Sequence, residues 1–379
     1  MQPRERIRRF LKREGEVDCI PWSLFFGATP SFTPLFFKKF VAETGISDLA
    51  EHFDFEVRIA HADDTEPLFH TTTAHYGLGM TGNGIGRDFF SEALPDEITF
   101  SPWGVGIVPW PENPSCERMF HPLRGERTLQ EIERYPAPGI EEASIARVRH
   151  RAQKIKEAGY LSAAYCGSLY EWCHWLRGME DFMVDLVAYP EKASALIEKV
   201  ATFTHRFAEA HARCGVELLC FYDDYGMQDR LQIPPRLWRH FFKPWWAKIL
   251  TALRREFPEV LFFLHSCGKI EEILPDLVEV GFDVLHPLQP ECHDIDEVVA
   301  RYQGQVTFWG TVSAQKTLPL GTREEVEREA RHRMSLAFTR GNLIPSPANT
   351  IGPEVPVENV LVFIEACRDA NWEWKGVRR

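Results

Sequence analysis

From about residue 160 the chain alternates short apolar runs with longer segments in which apolar residues recur every three or four positions. The short runs contain many β-branched and aromatic residues, which is typical of buried strands. They are YLSAAYCG, ELLCFYDD, VLFFLHSCG, GFDVLHPLQ, VTFWGT and NLIPSPAN. Most of the longer segments end at Gly or Pro, as helices do. This alternation predicts repeated βα units around a parallel sheet.

Two earlier runs, DCIPWSLFF and FDFEVRIAH, raise the number of predicted strands to eight, which is enough to close a barrel. The stretch from about Thr65 to Pro138 interrupts the rhythm, because it is rich in Gly, Pro, Thr and aromatic residues. A structureless loop of that length is improbable in a compact domain. The predicted fold class is therefore α/β, a TIM-like (β/α)8 barrel over residues 1–379 as a single domain, with a β-rich insertion at about 65–138 near the N-terminus.

Composition and charge narrow the choice of partners. With 44% hydrophobic and 26% charged residues the chain is typical of a globular protein, and its net charge of −12 argues against nucleic acid or an anionic membrane as a partner. No window approaches the roughly 18 apolar residues of a membrane span. The charged start MQPRERIRRFLKREGE lacks the apolar core of a secretion signal, and the nine cysteines form no disulfide framework. We expect a cytoplasmic protein that acts on a small molecule, and a homodimer is compatible with this sequence.

Polar residues follow the predicted strands. In a barrel of this kind the active site lies at the carboxyl ends of the strands and in the loops after them. These strand endings therefore supply the candidate site residues. They are Glu171, Asp223, Asp224, Gln228, His265, Cys267, His286, Gln289, Trp309 and Asn349.

The pair His265 and Cys267 is the strongest signal for a metal. Residues two apart in a strand point to the same face, so the imidazole and the thiol project together past the strand end. Both are ligands that zinc favours. A catalytic zinc site needs a third protein ligand and an open position, so the pair alone does not complete one. The alternative is a histidine that hydrogen-bonds the backbone beside a buried cysteine.

Asp223 and Asp224 are the candidate catalytic carboxylates, together with His265. Adjacent strand residues point to opposite faces, so only one carboxylate can face the mouth of the barrel and act as general acid or base. The other would cap a helix or brace a turn. The remaining candidates are predicted substrate contacts: Glu171, Gln228, His286, Gln289, Asn349 and, as a flat apolar wall, Trp309.

Several blocks of the chain resemble the uroporphyrinogen decarboxylase superfamily. They are FYDDYGMQDRLQIPPRLWRHFFKPWW, FLHSCGKIEEILPDLVEVGFDVLHPLQP, FWGTVSAQKTLPLGTREEVEREA and PSPANTIGPEVPVENVL. The superfamily contains the decarboxylase itself and cobalamin-dependent methyltransferases, which move methyl groups between methyl donors, corrinoid proteins and thiol acceptors. The resemblance covers about residues 160–370 and implies a distorted (β/α)8 barrel with a deep cleft at the carboxyl ends.

The methyltransferase branch is the closer of the two. The decarboxylase branch carries an arginine-rich motif after the first strand for the carboxylates of its tetrapyrrole, whereas this chain has WSLFFGATP, Trp22–Pro30, with no arginine. In the methyltransferase branch zinc is held by the His and Cys of a motif that His265 and Cys267 match. A later Cys of that branch aligns with Asn349, and a fourth, acidic ligand of some members falls near Gln289.

The resemblance therefore implies a zinc site with Cys267 as its only anion, which would bind the metal weakly and below one ion per chain. Either another group completes the site, for which the candidates are Asp223, Glu171 and His286, or the pocket serves a different methyl donor or acceptor.

The preferred hypothesis is a corrinoid-dependent methyltransferase-like enzyme that moves a methyl group between a small substrate and a corrinoid protein or thiol. Zinc is its expected cofactor. The chain has no Asp-x-His-x-x-Gly cobalamin signature, so a corrinoid would come on a separate partner protein. The alternative is a uroporphyrinogen decarboxylase, in which Asp223 or Asp224 would stabilise a protonated pyrrole. A further alternative is a non-catalytic binding protein on the same barrel.

Overall fold

The computed structural model describes residues 1–62, 77–90, 93–110 and 113–377. The strands of these residues are β1 (Phe25–Phe26), β2 (Thr29–Pro30), β3 (Val57–Ile59), β4 (Met80–Thr81), β5 (Thr99–Phe100), β6 (Gly106–Trp110), β7 (Asn113–Phe120), β8 (Gly139–Ile140), β9 (Leu161–Tyr165), β10 (Leu218–Tyr222), β11 (Leu261–His265), β12 (Val284–His286), β13 (Thr307–Trp309) and β14 (Leu343–Ile344).

The α-helices of the same residues are α1 (Pro3–Lys12), α2 (Pro34–Thr44), α3 (Leu49–His52), α4 (Leu129–Arg134), α5 (Glu142–Glu157), α6 (Tyr170–Arg177), α7 (Met179–Ala188), α8 (Pro190–Arg213), α9 (Pro235–Phe241), α10 (Lys243–Glu256), α11 (Leu274–Val280), α12 (Ile295–Arg301), α13 (Thr317–Leu320), α14 (Arg323–Arg340) and α15 (Val357–Val377). None of these helices is long and apolar enough to cross a membrane.

Seven parallel strands form the central sheet of the described chain, in the order β14-β13-β12-β11-β10-β9-β3. Each of the six apolar runs after residue 160 supplies one of them, and every residue of β9 to β14 is buried. Strands buried on both faces are the rule where helices cover a parallel sheet, which explains why these runs are continuously apolar instead of alternating. The TIM-like α/β prediction is confirmed.

The first predicted strand does not join the parallel sheet. DCIPWSLFF contains only the two residues of β1, which pair antiparallel with β2 and not with the parallel sheet. Gly27 adopts a φ of 61°, which turns the chain into this hairpin. The segment still reaches the edge of the sheet, because the Ser23 amide donates to the Pro345 carbonyl just after β14 at 3.1 Å.

The β-rich insertion contains two small antiparallel sheets, β5-β6-β7 and β4-β8. The sheet β5-β6-β7 carries a small hydrophobic cluster that is separate from the main core and consists of Ile98, Val108 and Phe120. Residues 65–76, 91–92 and 111–112 of the predicted insertion lie outside the described residues.

Two of the longer segments with helical periodicity each form two helices in the structure. The segment 179–215 forms α7 and α8, and the second of these helices begins at Pro190. The segment 235–258 forms α9 and α10, and α10 has Pro244 in its first turn. Proline has no amide hydrogen for the preceding turn, so it is tolerated only where a helix begins.

Candidate metal centre

The ends of three neighbouring strands lie side by side. In the parallel ladder Tyr222 of β10 pairs with His265 of β11, and His265 pairs with His286 of β12. Because parallel strands end at the same edge, the residues that follow them meet there. The candidates Asp224 and Cys267 both come just after these pairs.

Asp224, His265 and Cys267 form the group of potential metal ligands in the described chain. One ligand atom from each lies within 4.8 Å of the other two. The Nε2 atom of His265 is 3.3 Å from the Cys267 sulfur and 3.4 Å from Oδ1 of Asp224. The same Asp224 oxygen accepts a hydrogen bond of 2.7 Å from the Cys267 amide, which fixes the carboxylate against the loop.

This cluster fits zinc in both chemistry and size. A sulfur, a nitrogen and an oxygen at zinc bond lengths and tetrahedral angles would be separated by about 3.4–3.6 Å. The two separations from His265 Nε2, 3.3 and 3.4 Å, are close to that. Three protein ligands and one open position are typical of catalytic zinc sites. Asp224 could therefore supply the third donor of such a site, a position for which the sequence suggested Asp223, Glu171 or His286.

The surroundings of Cys267 disfavour ionisation of its thiol. Burial, and then the carboxylates of Asp224 and Glu171, raise the pKa of the Cys267 thiol well above its usual value. A metal ion that binds the sulfur replaces this proton, so metal binding at the cluster should release protons.

The two adjacent aspartates have different neighbours. Asp223 is fully buried and accepts hydrogen bonds from the Ser168 hydroxyl at 2.5 Å, the Leu169 amide at 3.0 Å, the Glu171 amide at 2.9 Å and the Tyr225 hydroxyl at 2.5 Å. Burial raises its pKa, and these hydrogen bonds oppose the change. Asp223 thus fixes the start of α6, while Asp224 faces the cluster. A catalytic role for Asp223 stays a prediction.

Glu171 has an unusual carboxyl group. Its oxygens accept no hydrogen bond within the described part of the chain, while its amide donates to Asp223. Burial, and then the neighbouring carboxylates of Asp224 and Asp223, raise the pKa of Glu171 well above its usual value. One helical turn later on α6, burial and the nearby His121 lower the pKa of His174 to about 4. His174 was not among the candidates predicted from the sequence, although its spacing of three from Glu171 puts both residues on one helix face.

The amide candidates brace the cysteine loop. Gln289 is 4% exposed, and its Oε1 accepts from the Gly268 amide at 3.2 Å while its Nε2 donates to Gln228 at 3.4 Å. Asn349 is exposed, and its Nδ2 donates to the Cys267 sulfur at 3.2 Å. Asn349 and Gln289 therefore lie beside the cluster as hydrogen-bonding groups.

The remaining two candidates are buried below the cluster. Trp309 is 1% exposed and donates from Nε1 to the Phe25 carbonyl at 2.9 Å, so it offers almost no surface to a ligand. His286 is fully buried, and its Nδ1 lies 2.8 Å from Nδ1 of His265. Phe26 stacks on both imidazole rings.

Fold and cluster define the class of protein: a TIM-like barrel with a candidate metal centre at the carboxyl edge of its sheet. A family model described as uroporphyrinogen decarboxylase (URO-D) matches residues 127–370, well over half of the chain. The chain therefore belongs to the uroporphyrinogen decarboxylase family.

Its relatives in this family carry two activities. A uroporphyrinogen decarboxylase of Geotalea daltonii is 23% identical over 265 residues, which are 65% of this chain and 70% of that protein. The methylcobamide:CoM methyltransferase MtaA of Methanosarcina barkeri is 24% identical over 160 residues, which are 42% of this chain and 44% of that protein. The sequence match thus spans less than half of the methyltransferase.

A solved structure matches over nearly the whole chain. A methyltransferase from Methanosarcina mazei superposes with a TM-score of 0.65 at 17% identity, and the match covers 97% of this chain and 99% of that chain. At this identity the likeness concerns the fold alone, and it agrees with the TIM-like barrel.

Proposed function

We propose that this chain is a methyl-transfer enzyme in which Asp224, His265 and Cys267 hold a zinc ion, and in which a small thiol receives a methyl group carried by a separate corrinoid protein. The observation that carries the proposal is the three-donor cluster at the carboxyl edge of the sheet. A methyltransferase among the relatives supports the same reaction class.

Zinc at this position would act as a Lewis acid that lowers the pKa of a thiol substrate. The chain's own residues hold the surroundings in place. Gln289 accepts a hydrogen bond from the Gly268 amide, and Asn349 donates one to the Cys267 sulfur. Asp223 fixes the start of α6, on which Glu171 lies. The thiol therefore meets a site whose ligands and neighbouring carboxyl group are already oriented.

Glu171 is the proton acceptor in this proposal. The thiol loses its proton to the carboxylate, the sulfur forms a bond to the methyl carbon, and the bond to the donor breaks with its electron pair left on the donor. Burial, and then the carboxylates of Asp224 and Asp223, raise the pKa of Glu171 above its usual value, which makes its carboxylate a stronger base for the thiol proton. A cation bound by Asp224 would also remove one of the charges that oppose ionisation of Glu171.

Decarboxylation of a tetrapyrrole is the competing activity, because several relatives carry that name. A substrate with many carboxylates needs cationic side chains. The stretch Trp22–Pro34 has no arginine or lysine, and at the site it contributes the apolar ring of Phe26. The acidic groups Asp224 and Glu171 would repel such a substrate further.

Metal analysis and a methyl-transfer assay test the proposal together. Because Asp224 adds a second anion, we expect about one zinc ion per wild-type chain, and strong loss of zinc in Asp224→Ala, His265→Ala and Cys267→Ala. Cys292→Ala is the matched control, since this buried cysteine lies near the cleft and contacts Gln228 at 3.7 Å. It should keep the zinc.

Activity is measured as methyl transfer from methylcobalamin to a panel of small thiols. Glu171→Gln should retain zinc and lose about 10²–10⁴-fold in rate, as expected for a missing general base. Zinc content that is the same in wild type and all three ligand variants would refute the metal centre. Efficient conversion of uroporphyrinogen to coproporphyrinogen would establish the decarboxylase instead, and inactivity in both assays would favour a binding protein.

A further inference from the structure

We propose that His286 is a positioning residue that sets the tautomer and the orientation of the metal ligand His265. In the metal-bound state Nδ1–H of His265 donates to Nδ1 of His286, so the lone pair of His265 Nε2 faces Asp224 and Cys267. This inference rests on the metal centre proposed above and goes beyond it.

The geometry between the two rings requires a single shared proton. Their Nδ1 atoms are 2.8 Å apart, a distance at which one nitrogen must donate and the other accept. If His286 donated, His265 would carry its proton on Nε2, which lies 3.3 Å from the Cys267 sulfur. That proton would occupy the place of the metal. A metal ion therefore requires the opposite arrangement, in which His265 donates.

His286 can then carry its own proton on Nε2. This atom is buried and makes no hydrogen bond with the described residues, so a proton there displaces no other donor. Ligating histidines in metal sites regularly donate their second ring proton to a fixed acceptor, which orients the ring and makes it a better ligand. Here the acceptor is a second imidazole instead of a carboxylate.

The surroundings hold the pair rigidly. The planes of the two imidazole rings differ by 24° and their centroids are 4.9 Å apart, as expected for rings that meet edge to edge through their Nδ1 atoms. Phe26 stacks on the His286 ring at 4.8 Å and on the His265 ring at 5.2 Å. A Cβ atom at Gly310 would lie 2.5 Å from Nε2 of His286, so glycine is needed there for the ring to fit. Gly310 also has a φ of 80°, which glycine adopts without strain.

Three variants of His286 distinguish a residue that only packs in the core from one that accepts a hydrogen bond from His265. His286→Phe keeps a stacking ring without any acceptor. His286→Asn places an amide near the former Nδ1 and can accept from His265, whereas His286→Gln places its amide near the former Nε2. His211→Phe, at another fully buried histidine far along the chain, is the control.

Zinc affinity is measured by competition with a chromophoric chelator, and ligand geometry by the visible absorption of the cobalt(II) form. We expect His286→Phe and His286→Gln to weaken zinc binding by about 10–100-fold and to change the cobalt spectrum. His286→Asn should recover affinity to within a few fold and restore the spectrum. The control should bind zinc as the wild type does.

Wild-type affinity and an unchanged spectrum in His286→Phe would overturn the inference while leaving the metal centre intact. If His286→Phe fails to fold, equal zinc affinity of the Asn and Gln variants would overturn it in the same way. A wild type that binds neither zinc nor cobalt would refute the metal centre and this inference together.

Discussion

His211 on α8 should make the protein sensitive to mild acid. The side chain is fully buried, its Nε2 accepts a hydrogen bond of 2.7 Å from the Leu78 amide, and its Nδ1 donates to the Phe207 carbonyl at 2.8 Å. Only the neutral ring can make both contacts, because Nε2 must be free of a proton. Burial lowers the pKa of His211 to about 4, against about 6.5 in an unfolded chain.

The sign and size of the effect follow from linkage. A depressed pKa in the folded state contributes stability that is fully present above pH 6.5 and is lost as the pH falls toward 4. Between pH 7 and pH 5 the unfolded chain takes up about 0.7 proton at His211 and the folded chain takes up about 0.1. The expected loss in the free energy of unfolding from this residue over that interval is about 1.8 kcal/mol.

Urea unfolding at pH 7 and pH 5, with a chelator present, measures this contribution. The wild type should lose about 1.8 kcal/mol more than His211→Gln between the two pH values, although the variant is less stable at pH 7. His150→Gln on the exposed face of α5 is the control and should follow the wild type. Equal losses in wild type and His211→Gln would show that the ring is not held neutral against Leu78.

Three further outcomes are expected. Asn349→Cys adds a thiolate beside the Cys267 sulfur and should tighten zinc binding about tenfold or more. An unchanged or lower zinc affinity, measured by competition with a chelator, would place residue 349 outside the metal's reach. Asp185→Ala removes the 2.7 Å partner of the buried Arg177, which keeps Asp181 at 3.1 Å, and should cost about 1–3 kcal/mol in urea unfolding, whereas an unchanged stability would contradict this. Gly268→Ala forces a φ of 78° on a residue with a side chain and places its Cβ 2.5 Å from the Gly226 backbone. Both the thermal midpoint and the zinc affinity should therefore fall, and wild-type values of both would refute this crowding.

Much of the barrel could be predicted from the sequence because buried parallel strands leave a local signature. Each of the six apolar runs after residue 160 became a strand of the central sheet, since a strand covered on both faces must be apolar at every position. The prediction was wrong for DCIPWSLFF, where the apolar pattern is the same but Pro21 and Gly27 favour a turn over a ladder. An apolar run reports burial, and it does not report which partner a strand pairs with.

The metal pair could also be predicted, because the i, i+2 spacing of His265 and Cys267 is a local property of one strand. The third donor could not. The sequence shows that only one of Asp223 and Asp224 can face the mouth, and the choice between them depends on the start of α6, which Asp223 binds through Ser168 and two backbone amides.

The sequence by itself thus determined the strands, their polar endings and the shared direction of one ligand pair, all of which depend on residues a few positions apart. The tertiary structure decided which groups those endings meet. The 2.8 Å contact of His265 with His286 depends on the register of β11 against β12, and the contact of Asn349 with Cys267 spans 82 positions of the chain. Such contacts follow from how the strands align and how the loops close over them, and no local pattern encodes that alignment.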